Sequence, residues 1–63
     1  MEEKLWLTPQ ELADIYQIRY PEALVLAKSG EVAVKKSGSR YRFRADDAAR
    51  AFKEGVFERV LSY

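Results

Sequence analysis

The chain contains no cysteine and no histidine. Without cysteine there is no disulfide staple and no thiolate metal site. Without histidine the commonest general base and the commonest metal ligand are both missing. No apolar run approaches the roughly 18 residues of a membrane span, and no basic start leads into an apolar segment of the signal-peptide kind. These absences fit a reducing cytosol, and a cytoplasmic location without membrane contact is the expectation. Paired carboxylates are also scarce. Asp46-Asp47 is the one adjacent acidic pair besides Glu2-Glu3, and adjacent helical residues point about 100° apart, so they do not readily share a proton or grip one metal ion. The simpler role for Asp46 and Asp47 is a helix start, where acids meet the positive end of the macrodipole. No phosphate-cradling glycine loop and no nucleophile-base spacing is present. The chain is therefore expected to be no enzyme and to carry no cofactor.

Glycine and proline are few, three and two in 63 residues, so each marks a particular joint. A chain of this length makes one domain, buries only about 60% of its unfolded surface and has a stability of a few kcal/mol. Hydrophobic residues at 48% and charged residues at 33% are ordinary globular values. Met1 and a complete set of elements make a whole chain, rather than a fragment of a longer one, the expectation.

What the chain does have is charge of one sign in one place. Residues 35–44, Lys35-Lys36-Ser37-Gly38-Ser39-Arg40-Tyr41-Arg42-Phe43-Arg44, hold five of the eleven Lys and Arg residues and no acid, which leaves six basic against ten acidic residues elsewhere. Arg40, Arg42 and Arg44 alternate with Tyr41 and Phe43, the period of a half-buried strand, and Ser37-Gly38-Ser39 supplies a turn. A basic ribbon on a nearly neutral body points to a polyanion, most simply nucleic acid. The alternative is a solvated edge strand whose charges block edge-to-edge pairing, although that role would not require every charge to be positive.

Around the ribbon the helices declare themselves by their ends. Residues 1–4 read as a frayed start. Thr8-Pro9-Gln10-Glu11 has the cap, the proline in the first turn and the glutamate three residues on that make a capping box, with Leu7 and Leu12 placed as a hydrophobic staple. The first helix runs to about Tyr16, with Leu12, Ala13, Ile15 and Tyr16 on its apolar side. Gln17-Ile18-Arg19 is a tight turn with Ile18 as its plug. The second helix covers about Tyr20 to Ser29, tolerates Pro21 in its first turn and ends at Gly30. Val32-Ala33-Val34 begins the hairpin, and a third helix opens at Asp46 and Asp47 and runs through Ala48, Ala49, Ala51 and Phe52. Gly55 interrupts it, and Val56, Phe57, Val60 and Leu61 recur at helical spacing, either as a continuation or as a separate short helix. That stripe is core or a partner surface.

In this order the elements resemble the excisionase-type, MerR-like winged helix-turn-helix family, whose members include small phage and transposon DNA-binding proteins. Leu7-Thr8-Pro9-Gln10-Glu11-Leu12-Ala13 is similar to the family's opening. Lys28-Ser29-Gly30-Glu31-Val32 is similar to its junction after the second helix. Gly38-Ser39-Arg40-Tyr41-Arg42-Phe43 is similar to its wing strand. The resemblance covers about residues 5–53 and leaves 54–63 as a C-terminal extension. It implies an α+β, mostly α, single winged helix-turn-helix domain: two helices, a two-stranded β-hairpin wing and a C-terminal helix. It also implies binding of double-stranded DNA without catalysis, in excision or transcription regulation, beside a recombinase or other protein partner or through self-association on DNA.

Carried onto these residues, Lys35, Lys36, Arg40, Arg42 and Arg44 would hold phosphates, with Ser37 and Ser39 beside them in the turn. Arg19, Tyr20, Glu22 and Lys28 would approach the major groove. The second helix departs from the family at its cap, where Arg19 replaces Ser or Thr, and at Leu24 and Val25, where an aromatic residue and an Arg are common. The third helix departs at Ala48, where a larger apolar residue is usual, and at Phe52, one position later than the usual aromatic. An apolar side chain can meet a thymine methyl, and Glu can accept from cytosine, but the helix lacks the Arg or Asn of strong bidentate base contacts. Three readings of its outer face stand open: base readout, a protein-interaction surface made of Tyr20, Leu24 and Val25, or core covered by the tail. Trp6 is either a stacking platform for single strands or, flanked by Leu5 and Leu7, a core or rim residue.

Overall fold

The computed structural model describes residues 5–62, so the expected frayed start at residues 1–4 lies outside the described residues. Seven elements follow one another: β1 (Trp6–Leu7), α1 (Pro9–Tyr16), α2 (Tyr20–Ser29), β2 (Val34–Ser37), β3 (Arg40–Arg44), α3 (Ala45–Lys53) and α4 (Val56–Leu61). This is a winged helix-turn-helix arrangement, with a third strand and a fourth helix added to the expected set.

The first helix starts as its sequence requires. Thr8 Oγ1 accepts from Glu11 N at 3.1 Å, and Thr8 N donates to Glu11 Oε1 at 2.9 Å. These bonds close the capping box, and Leu7 and Leu12 on either side of it are both buried. The helix stops at Gln17, which adopts φ 57° in the left-handed region. From there Ile18 N donates to Ala13 O at 3.0 Å, which turns the chain into α2. Arg19 has no acceptor on its side chain, so only half a capping box forms at α2: its backbone N donates to Glu22 Oε1 at 2.9 Å.

Two expectations about the sheet change. The wing is not a lone two-stranded hairpin: Trp6 and Leu7 pair antiparallel with Arg44 and Phe43, giving a three-stranded sheet in the order β1-β3-β2. The first hairpin arm begins at Val34, while Val32 is buried in the core ahead of it. In β2 and β3, Val34 faces Phe43, Lys35 faces Arg42, Lys36 faces Tyr41 and Ser37 faces Arg40.

One core joins the sheet to the helices. Leu12, Leu26 and Phe43 are its largest fully buried side chains, with Ala23, Ala27, Ala48 and Ala51 allowing close helix approach. Ala48, small where the family has a larger residue, is thus a packing position. α4 is a separate helix, set off by Gly55 at φ 79°, a conformation that favours glycine. It packs against α2 and α3 and buries Val56 and Phe57, with Val60 and Leu61 partly buried, so the tail's stripe belongs to the core. Tyr16, Phe52 and Phe57 form an aromatic trio with centroid separations of 4.8 to 5.5 Å, yet Phe52 remains 53% exposed. Ile15, expected on the apolar side of α1, is 57% exposed instead, because Leu12, Ala13 and Tyr16 already fill the inward arc.

Candidate nucleic-acid interface

The basic ribbon is built from strand alternation. Phe43 points into the core and is fully buried, so its neighbours Arg42 and Arg44 project to the outer face of the sheet. Lys36 and Tyr41 share the inner side nearer the tip, with the Lys36 ammonium 5.6 Å from the Tyr41 ring centroid. Gly38 makes the turn at φ 63°, which leaves Ser37 and Ser39 exposed at the tip.

The second helix and the wing both border one cleft. A cleft of about 300 Å³ is lined by Thr8, Pro9 and Gln10 from the start of α1, Tyr20 from the start of α2, and Ser39 to Arg42 from the wing. The α2 N-terminus and the wing therefore border a common concavity, and Tyr20, 47% exposed, stands in it. Arg19 precedes it and is exposed, whereas Lys28 is exposed at the opposite end of α2. One oxygen of Glu22 is engaged by the Arg19 backbone. Val25 is 38% exposed and Leu24 half-buried, so the tail does not cover them; α2 buries Ala23, Leu26 and Ala27 instead.

Charge pairing divides the arginines in two. Among the described residues no carboxylate pairs with Arg19, Lys28, Lys35, Lys36, Arg40 or Arg42, and Arg44 alone of the ribbon is paired, to the exposed Asp46 at 3.0 Å. The arginines of α3 and α4 are tied into the fold. Arg50 binds Asp47 at 2.9 Å and Glu54 at 2.7 Å, and donates to Glu31 O at 3.2 Å. Arg59 binds Glu31 at 3.0 Å. Asp47 Oδ2 also accepts from Ala33 N at 2.7 Å, fastening the α2–β2 loop to α3. The hydrogen bond from Arg50, together with that from the Ala33 amide, holds the Asp47 carboxyl below its usual range. The hydrogen bond and charge of Arg59 do the same to Glu31. Asp46 and Asp47 thus serve different partners, a structural division of labour that matches the helix-start role.

The sequence pattern located the ribbon, but not this latch. Ala33–Asp47 and Glu31–Arg59 join residues 14 and 28 positions apart, and no local spacing announces such pairs. Nor did it reveal Trp6 as a strand residue with two cations above its ring, Lys35 Nζ at 6.0 Å and Arg44 Cζ at 5.8 Å from the centroid.

Comparison with known proteins finds a family that spans most of these elements. The helix-turn-helix domain family matches residues 6–53, from β1 to the end of α3. An uncharacterized protein of Mycobacterium bovis and uncharacterized proteins of two Mycobacterium tuberculosis strains are each 35% identical over 57 residues, covering 90% of this chain and 49% of theirs. The chain spans about half the length of these curated relatives. No solved structure matches it. Among the described residues no helix is long and apolar enough to cross a membrane.

Proposed function

The chain belongs to the helix-turn-helix domain family, whose excisionase-like members bind DNA, and from that premise we propose that it grips double-stranded DNA chiefly through its wing, as a small accessory or regulatory factor. Lys35, Lys36, Arg40, Arg42 and Arg44 neutralise phosphates, and Ser37 and Ser39 add hydroxyl contacts at the tip. The start of α2, with Arg19, Tyr20 and Glu22, enters the major groove, and Lys28 reaches the flanking backbone. The observation that carries this reading is the joint cleft: the α2 N-terminus and a wing whose cations Lys35, Lys36, Arg40 and Arg42 lack carboxylate partners among the described residues border one concavity. Phosphate contacts fix register without reading sequence. Because α2 offers no Arg-guanine or Asn-adenine pair, most of the affinity comes from the wing and little of the sequence choice does. Arg40→Ala combined with Arg42→Ala removes two phosphate contacts. Affinity for a short duplex should fall at least tenfold at about 50 mM salt, measured by fluorescence anisotropy; unchanged affinity would remove the wing from the mechanism.

A second reading rests on the exposure of Tyr20 and Val25, with Leu24 half-buried beside them. On it, this side of α2 meets a protein, either a recombinase-type partner or a second copy bound alongside on DNA. Leu24→Asp with Val25→Asp then abolishes association while circular dichroism stays unchanged. Loss of DNA binding with no change in association assigns the surface to the groove instead.

A further inference from the structure

Four of the ribbon's five cations share the outer face of the sheet with an aromatic residue. Trp6 lies opposite Arg44 and Lys35 opposite Arg42 in the ladder, and directly opposed residues project from the same face. Leu7 and Phe43 are buried on the inner face and Val34 is half-buried there. The outer face therefore carries Trp6, Lys35, Arg40, Arg42 and Arg44, with Ser37 at its end. Asp46 is the one carboxylate that forms an ion pair with this group among the described residues, and its side chain is 68% exposed. Lys35 directly opposes Arg42, and like charges placed opposite one another destabilise a sheet. A small domain that keeps such a pair is holding positive charge in place for an anion.

Trp6 organises that charge. It sits on the edge strand β1, and Lys35 reaches toward it from the other edge, across the central strand, to place its ammonium 6.0 Å from the indole centroid. Arg44, beside Trp6 in the ladder, places its guanidinium at 5.8 Å. The indole attracts both cations through its quadrupole. A lysine or arginine held in this way has already lost part of its rotamer freedom, so less ordering remains when it meets a phosphate.

We propose that the outer face of the sheet is a phosphate-binding platform for the DNA backbone, with Trp6 as the positioning residue that holds Lys35 and Arg44 toward it. This rests on the DNA-binding reading above and adds to it an uncharged residue, Trp6, that sets the direction of two of the phosphate-binding cations. Two of the chain's own cations already lie over the indole.

Trp6 is the single tryptophan of the chain, so its emission reports on this face alone. The test is a titration of the protein with a labelled duplex of about 20 base pairs, two helical turns, read by anisotropy and by tryptophan emission together. As phosphates engage Lys35 and Arg44, emission should change along the same isotherm as anisotropy. Trp6→Leu should weaken binding about threefold to tenfold and Trp6→Phe by less than about twofold, because a smaller aromatic still holds a cation. Both should leave the salt dependence unchanged, since neither removes a charge, whereas Lys35→Ala with Arg44→Ala should reduce the slope of log K against log salt by about two. Emission that stays constant at saturation, or a folded Trp6→Leu that binds as tightly as the wild type, overturns the platform and leaves the DNA-binding reading standing. The emission measurement needs no variant and decides the matter if Trp6→Leu fails to fold. A wild-type chain that binds no duplex overturns both.

Discussion

Asp47 is the residue on which the placement of the wing turns. Its carboxylate accepts from the Ala33 amide at 2.7 Å and from Arg50 at 2.9 Å, so one side chain holds the start of the hairpin against α3. Those bonds lower its proton affinity in the fold, and Arg59 lowers that of Glu31 in the same loop. In the unfolded chain both carboxyls recover their ordinary affinity, so on acidification the unfolded state binds protons first. Their contribution to stability is therefore complete above about pH 5 and is lost as pH falls below about 4, through the lowered folded values. The urea midpoint should accordingly fall on acidification. Asp47→Asn should be less stable at neutral pH and lose less on acidification, its curve converging with the wild type as pH falls through the lowered folded value of Asp47. Parallel curves would remove Asp47 from the latch. The adjacent Asp46 and Asp47 were legible in the sequence as a helix start, because the helix dipole is a local effect. Their different partners were not, because Ala33 and Arg50 come to Asp47 only through the fold.

At the scale of elements, boundaries set by local chemistry could be read directly, and those set by distant partners could not. α1 begins at the Thr8 capping box and α2 ends at Gly30, both where spacing placed them. β1 escaped detection because two residues carry no periodicity; its existence depends on Phe43 and Arg44, far along the chain. Ile15 read as core for the opposite reason: it fits the apolar side of α1 in sequence, but the packed elements leave it in solvent. Of the candidate site, the ribbon and the α2 start were visible as residues, whereas the cleft that joins them needed the tertiary fold. The turn between α1 and α2 offers a test of element geometry. Gln17 is exposed and holds φ 57°, a conformation that costs a residue with a Cβ about 1 kcal/mol. Gln17→Gly should relieve that cost, less the extra entropy glycine brings to the unfolded chain. The expected gain is up to about 1 kcal/mol, a rise in Tm of several degrees for a domain of this size. A fall in Tm measured by circular dichroism would contradict the assigned turn.

At the scale of the whole molecule, size limits what the chain can do on DNA. Its longest extent is 33 Å, close to the roughly 34 Å of one helical turn, so a single copy covers one groove segment and its flanking backbone. The asymmetry of charge then decides the mode of binding. Arg50 and Arg59 are bound to carboxylates and hold the loop and tail together, while most of the ribbon's cations meet no carboxylate among the described residues. On the proposed reading, such a molecule would bind mainly by releasing counterions from phosphates, weakly as a monomer at physiological salt, and would need a second copy or a partner protein for useful specificity. If the five basic residues of the wing carry the grip, the salt dependence of binding to a short duplex reports it. Log K should fall linearly with log salt with a slope of about −4 to −5; absence of binding even at about 50 mM salt, or a slope near zero, would take the grip away from the wing.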